Sequence, residues 1–286
     1  MEDVSIYIPV YNGEKTIENC LNSVFKQSLK PSKILVINDC STDNTKKILE
    51  NYSSKIEIIN LTENLGLSYV RDLAINKLET NYVAAIDADV ELDEKWMEDL
   101  INSLKTKDVV LVGGKMYEKH LDNPCNSWRS YRIGQNLGEE DILNPKLIFG
   151  CNYIVNKKNL DTKNLFRNDH EFFKTNGEDS ELAKELYSRN LNLFYNSKAI
   201  CYHLQNDNYK TLASRYWRYM LYGDGLKKRN LFKTIKNILR QFKRILEWTL
   251  EDIRKSRYNL LIVNFCLLYY LIILDVKYYF KEKVNS

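Results

Sequence analysis

The first apolar segment, Val4 to Val10 (VSIYIPV), is rich in β-branched residues and ends on the turn residues Tyr11-Asn12-Gly13. Ile17, Leu21, Val24 and Phe25 then recur at helical spacing, which predicts a helix. The same alternation repeats along the chain. Ile34–Ile37 reads as a strand, residues 38–45 (NDCSTDNT) as a loop rich in capping residues, and Ile48, Leu49 and Tyr52 mark a helix. Ile56–Ile59, Tyr82–Ile86 and Val109–Val112 read as further strands, with helices over Tyr69–Leu78 and around Trp96, Leu100, Ile101 and Leu104. These strands are apolar on both faces, so helices must cover both sides, and the pattern predicts a doubly wound, mostly parallel α/β sheet. From Met116 to Asn176 the periodicity weakens, which predicts inserted loops and a partly antiparallel region. Glu178–Arg189 then reads as a helix, followed by strands at Leu193–Tyr195 and Ala199–His203.

The C-terminal fifth follows a different pattern. Leu231, Phe232, Ile235, Ile238, Leu239, Phe242, Ile245, Leu246, Leu250 and Ile253 form one helical stripe, with Lys233, Lys236, Arg240, Lys243 and Arg244 on the other face. A basic amphipathic helix suits a membrane surface or a partner helix; the alternative is a stripe that packs on the body of the protein. The preceding aromatics Tyr216, Trp217, Tyr219 and Tyr222 suit an interface belt or a core. Leu260–Leu274 is apolar apart from Asn264, and as a helix covers about 22 Å, short of a ~30 Å hydrocarbon core. Asp275 and Lys277 are expected to end it. A monotopic or dimerising helix is therefore favoured over a single membrane span.

Charge sharpens this division. The chain of 286 residues carries a formal net charge of +4. Between Leu226 and Arg257 eleven Lys/Arg stand against three Asp/Glu, a surplus of +8, and the remainder adds +1. The first 225 residues are left at −5. An acidic body and a basic tail suggest different partners. Nucleic acid is set aside for the tail, because its charge shares a helix with a full apolar stripe and no nucleic-acid motif is present. The predicted organisation is a body over residues 1–225 and a membrane-associating or dimerising helical region over 226–286. Six dispersed cysteines without a C-x-x-C pair read as reduced thiols in a cytosolic setting. Met1-Glu2-Asp3 has neither a basic region nor a long apolar run behind it, so no export by a signal peptide is expected.

Candidate chemistry lies at the carboxyl ends of the strands, where open α/β sheets bind ligands. Asp87 and Asp89 end the YVAAI strand and can share a hard divalent cation, Mg²⁺ or Mn²⁺, with substrate phosphates. Asp39 ends the second strand, where a carboxylate can accept from a base or a ribose; Ser41 or Asp43 behind it caps the next helix. Arg71 follows the Asn64-Leu65-Gly66 turn and can reach a phosphate. Glu178 and Asp179 open a helix, where acidic residues also merely complement the dipole. His203 on an apolar strand reads by default as a core histidine.

The ordered set IPVYNGEKTIENCLNSVFKQS, VINDCSTDNT, NLGLSYVRDLAIN, AAIDADVELDEKW, NGEDSELAKEL and His203 resembles the family 2 glycosyltransferases, inverting enzymes of the GT-A fold, over Val4 to Gly225. Asn38 departs from the pattern, where many members carry a second Asp. The resemblance implies that Pro9, Tyr11 and Asp39 hold the nucleoside, and that Arg71 contacts the diphosphate. It implies that Asp87 touches the ribose or metal and Asp89 ligates Mg²⁺ or Mn²⁺, with His203 as an additional ligand. Asp179 becomes the general base, with Glu178 and Asn152 on the acceptor side or in support. The implied activity moves a sugar from a UDP- or GDP-sugar, and the tail alone points to a polyprenyl-linked or glycan acceptor. The expected place is the cytoplasmic face of the cell membrane, with a homodimer as the tail's other use. Two rival readings are a non-catalytic nucleotide-sugar-binding scaffold and a sugar-phosphate nucleotidyltransferase. The second calls for a Gly-rich phosphate loop after the first strand, and YNGEKT is not one.

Overall fold

The computed structural model describes residues 3–158, 160–163, 165–167, 173, 177–223 and 230–284. Two compact units are formed: one from Met1–Lys119 and Gln135–Gln205, the other from His120–Gly134 and Asn206–Ser286. This division differs from the predicted one, since residues 120–134 and 206–223 join the C-terminal helices. The expected boundary at 225/226 lies outside the described residues.

The first unit is a nine-stranded sheet with helices on both faces. Its chain runs β1 (Val4–Val10), α1 (Ile17–Phe25), β2 (Lys33–Asn38), α2 (Thr45–Glu50), β3 (Glu57–Asn60), α3 (Leu67–Lys77) and β4 (Tyr82–Ile86). It continues through β5 (Val90–Leu92), α4 (Trp96–Thr106) and β6 (Leu111–Glu118). After residues of the second unit it resumes with β7 (Ile142–Leu143), β8 (Asn152–Asn156), α6 (Glu178–Ser188) and β9 (Leu193–His203). The strand order is β3-β2-β1-β4-β8-β6-β9-β5, with β7 paired to β9. β1, β2, β3 and β4 pair in parallel, whereas β8 is antiparallel to both β4 and β6.

Every residue of β1 is buried, as both faces are covered. Alternate side chains go to opposite faces. Ile6, Ile8 and Val10 pack with Leu21 and Val24 of α1 and with Trp96 and Leu100 of α4. Tyr7, Leu35 and Ile37 pack with Val70 and Ala74 of α3 and Leu182 of α6. The chain builds β1, β2 and β3 outward on one side, then returns to place β4 on the other side of β1. That reversal between β1 and β4 opens a crevice at their carboxyl ends.

Two predicted strands, Leu193–Tyr195 and Ala199–His203, are one continuous β9. The polar Asn196-Ser197-Lys198 between them is a bulge: pairing with β6 shifts register between Gly113 and Lys115. The Asn196 side chain closes it, accepting from the Lys198 N–H at 2.8 Å and donating to Ser103 Oγ at 2.9 Å. The strand predicted over Val109–Val112 begins later and runs to Glu118.

The second unit comprises α5 (Pro124–Ile133), α7 (Tyr209–Gly223), α8 (Leu231–Arg254), a 3₁₀ turn at Tyr258–Leu260 and α9 (Leu261–Val284). Its core gathers Trp128, Leu212, Tyr216, Ile245, Val263 and Leu267. Trp128 stands edge-on to Tyr216 and Trp248, with ring centroids 5.7 and 5.3 Å away. Asp275 does not end the apolar helix, contrary to expectation; α9 continues to Val284. The Asp275 carboxylate is fully buried and accepts from Trp217 Nε1 at 2.8 Å and from Asn237 Nδ2 and Gln241 Nε2, each at 2.6 Å. With three donors in place it needs no water, so the helix has no reason to stop. Asn264 is likewise buried, accepting from Trp128 Nε1 and donating to Asp252.

The α8 stripe faces outward. Eight of its residues, Leu231, Phe232, Ile235, Leu239, Phe242, Leu246, Leu250 and Ile253, are exposed by 45% to 74%. The buried side of α8 carries Thr234, Asn237, Gln241 and Asp252, with Ile245. Of the preceding aromatics Tyr216 is buried and Tyr219 exposed; the Tyr222 side chain lies outside the described residues. Among the described residues one helix, Tyr258–Lys281, is long and apolar enough to cross a membrane by length and composition.

Candidate active site

Pro9, Tyr11, Asp39, Asp87 and Asp89 line one cleft of about 340 Å³ at the β1/β4 crevice. The loops forming its rim hold one another. Asn12, with a φ of 55°, takes the left-handed conformation that Asn tolerates, and its side chain accepts the Thr42 N–H at 2.8 Å. Ser41 Oγ accepts from the Asn12 N–H and Thr45 Oγ1 from the Gly13 N–H. Ser41 therefore staples two loops instead of capping a helix, while Asp43 accepts both the Thr45 and Glu14 N–H groups.

The Asp39 carboxylate is buried and accepts the N–H groups of Leu65 and Gly66 at 2.8 and 2.9 Å. Gly66 has a φ of 90°, a conformation that favours glycine, and this turn brings both donors to one carboxylate. Asn38 turns away from the cleft, donating to Asn60 Oδ1 and accepting from the Ser41 N–H.

Behind the cleft lies a chain of charges. Arg71 is fully buried on α3; its Nη2 donates to Asp87 Oδ1 at 2.7 Å and its Nε lies 3.4 Å from Glu178 Oε1. Nη1 of Arg71 has no hydrogen-bond partner among the described residues. Burial raises the pKa of Asp87, Arg71 lowers it, and Asp89 raises it again, leaving it above the ordinary carboxylate value. Burial, then the neighbouring Asp179 charge, push Glu178 up to about 8. Asp179 is also raised by burial, but it accepts from the Ser180 N–H at 2.7 Å and the Gly150 N–H at 3.3 Å, which favour its ionised form. The two neighbours thus differ: burial dominates at Glu178, whereas backbone N–H groups offset part of it at Asp179.

His203 sits between two carboxylates. Its Nε2 is 3.2 Å from Asp89 Oδ2 and its Nδ1 is 3.1 Å from Glu118 Oε2. Burial opposes charging the ring, but Asp89 and Glu118 outweigh it and raise the pKa. An aspartate oxygen and an imidazole nitrogen converging beside a cleft fit Mn²⁺ or Mg²⁺ chemically. Among the described residues no three His, Cys, Asp or Glu side chains converge as a metal cage. The side chains thus offer part of a coordination sphere, as in sites completed by phosphate oxygens.

Asn152 lies away from the cleft, fully buried on β8, where its Oδ1 accepts from Trp96 Nε1 at 2.5 Å. Several residues escaped sequence reasoning. Glu118 closes the β6 strand and faces His203; nothing in its local pattern marks it. Gly150 passes so close to the acidic pair that a Cβ there would lie 2.9 Å from Glu178 Oε1 and 3.1 Å from Asp179 Cβ. Tyr7 and Tyr153 share a 2.6 Å hydroxyl hydrogen bond under the sheet, where burial raises both pKa values.

With this geometry in view the family is clear. Residues 5–162, more than half of the chain, match the family model of Glycosyl transferase family 2, and the chain belongs to that family. A relative, the putative teichuronic acid biosynthesis glycosyltransferase TuaG of Bacillus subtilis, is 35% identical over 99 residues, 34% of this chain and 38% of TuaG. The chain thus spans less than half the length of that curated relative. The fold is of the GT-A type. Staphylococcus aureus TarS 1-349 in complex with UDP-GlcNAc superposes with a TM-score of 0.58 at 17% identity, covering 97% of this chain and 89% of that one. The mannosyltransferase PcManGT from Pyrobaculum calidifontis, in complex with GDP-Man and Mn2+, gives 0.57 at 15% identity over 79% of this chain and 65% of that one.

Proposed function

We propose that the chain transfers a sugar from a UDP- or GDP-sugar to a hydroxyl of a lipid-linked or glycan acceptor, with inversion at the anomeric carbon. The observation that carries this reading is the charge relay from cleft to base: Asp87, lining the cleft, binds Arg71, and Arg71 lies against Glu178 beside Asp179. Tyr11, more than half exposed at the rim, offers a ring face to the nucleobase, and Asp39 and Pro9 border the same space. Arg71, fully buried and outside the cleft lining, would serve the diphosphate by holding Asp87 at 2.7 Å rather than by the direct contact the resemblance implies. Asp89 and His203 would hold Mn²⁺ or Mg²⁺, which when bound acts as a Lewis acid on the leaving diphosphate. Asp179 takes the proton of the acceptor hydroxyl as its oxygen attacks the anomeric carbon from the opposite face. The bond to the diphosphate breaks and the nucleoside diphosphate leaves.

The ligands of TarS and PcManGT support a UDP- or GDP-sugar. The teichuronic acid role in the name of TuaG supports a surface-glycan acceptor. The C-terminal helices support a place at the cytoplasmic face of the cell membrane. In a thermal-shift screen, UDP or GDP should raise the melting temperature only with Mn²⁺ or Mg²⁺ present. Asp179→Asn should lower turnover by about 10² to 10⁴ while that shift is retained. Equal loss of binding and turnover would remove Asp179 from the role of base, and binding without turnover in the wild type would favour the scaffold reading.

A further inference from the structure

The polarity of α8 is reversed relative to a helix of a soluble core. Its polar residues Asn237, Gln241 and Asp252 point inward to hydrogen bonds, and its apolar stripe points out. Contiguous exposed apolar surface of this length is rare on soluble monomers and marks a docking surface. The flank of the stripe says what docks there. At 100° per residue, Lys236 and Lys243 lie just beyond the edge defined by Phe232 and Leu250, with Arg240 further round. Lys236 and Lys243 are exposed, and the pairing of Lys243 with Glu247 at 4.0 Å is a solvent-exposed i,i+4 pair of little strength.

We propose that α8 lies in the plane of an anionic bilayer surface, its stripe in the boundary between headgroups and acyl chains and Lys236 and Lys243 against lipid phosphates. The proposal deepens the membrane placement of the proposed enzyme by naming the helix, its face and the lipid charge. A second copy of the chain is the rival occupant, because Phe232, Ile235, Leu239, Phe242 and Leu246 are spaced by three and four residues as in a coiled-coil seam. Pairing α8 with itself antiparallel, however, brings together two flanks that each carry Lys236, Arg240, Lys243 and Arg254 against Glu247 alone, and this surplus of like charge repels. Anionic headgroups neutralise those lysines instead. An interfacial position also leaves the polar side of α8 where it is, with Asn237, Gln241 Nε2 and Asp252 bonded within its own unit.

The test floats the full chain with vesicles of phosphatidylcholine alone and with added phosphatidylglycerol. The wild type should prefer the anionic vesicles. Phe242→Ser with Leu246→Ser, both solvent-facing, should reduce flotation on either vesicle to background. Lys236→Gln with Lys243→Gln should weaken binding to anionic vesicles by about fivefold per lysine, and high salt should erase that difference. Equal wild-type binding to both vesicles, or an unchanged lysine variant, overturns the proposal. So does a stripe variant that converts a sedimenting dimer to a monomer yet floats as before, since that assigns the stripe to a second copy. The metal-dependent thermal shift with UDP or GDP is measured on every variant and should be unaltered. Its absence from the wild type counts against the donor reading and leaves the vesicle result standing.

Discussion

A guanidinium with no solvent contact has to be neutralised where it stands, and Arg71 has two carboxylates within reach. Asp87 gives it the shorter ion pair at 2.7 Å, while Glu178, at 3.4 Å, is held up to about 8 chiefly by burial. The proton on Glu178 is bound more tightly in the folded chain than in the unfolded one, whose ordinary value is 4.5. Its contribution to stability is therefore complete below that value and is lost as pH rises towards about 8. Glu178→Gln should flatten this dependence, so that variant and wild type diverge in the variant's favour as pH rises, as read by denaturant unfolding across that range. The Glu118–His203 contact is tested differently. If Glu118 orients the ring so that Nε2 faces the same space as Asp89, Glu118→Gln should weaken Mn²⁺ binding by about 10- to 100-fold, measured by titration in the presence of nucleoside diphosphate. An unchanged affinity would make that contact purely structural. Asp179 was singled out by the family resemblance alone, whereas Asp39, Asp87 and Asp89 were legible as cleft residues because each stands at a strand end that periodicity predicts. Glu118 and Gly150 were not, since what matters about them is a neighbour far away in the chain, and no local pattern encodes such a contact.

Among the elements, β1, β2 and β4 were easy to read because strands covered on both faces carry continuous apolar runs. β5, only Val90–Leu92, is too short for any periodicity, and it exists because β9 offers an edge to pair with. The break predicted within β9 reflects a bulge whose polar residues look like a loop in sequence and whose hydrogen bonds appear only in three dimensions. α9 shows the same limit with opposite sign. An aspartate after an apolar run reads as a stop signal, but three donors from α7 and α8 make it an interior residue. Asp275→Ala would leave Trp217, Asn237 and Gln241 without that acceptor and should destabilise the helical unit by on the order of 3 kcal/mol. Thermal unfolding followed by Trp fluorescence checks this; a shift no larger than that of a surface substitution would show that the donors find other partners.

For the molecule as a whole, sequence patterning separated a carboxylate-rich α/β body from basic and apolar C-terminal helices. It placed the seam at 225/226, because a break in charge is visible in sequence and the allegiance of a helix is not. α5 and α7 join the C-terminal helices through Trp128, Leu212 and Tyr216, aromatic and aliphatic positions that could equally have served the sheet. The inverted face of α8 has a practical consequence for anyone handling the chain. In dilute buffer that line of phenylalanines, leucines and isoleucines meets only water, so the free molecule carries an adhesive edge. Shelf life and yield should then follow what covers that edge, and a mild detergent in the first extraction step would do more for both than any adjustment of the catalytic half.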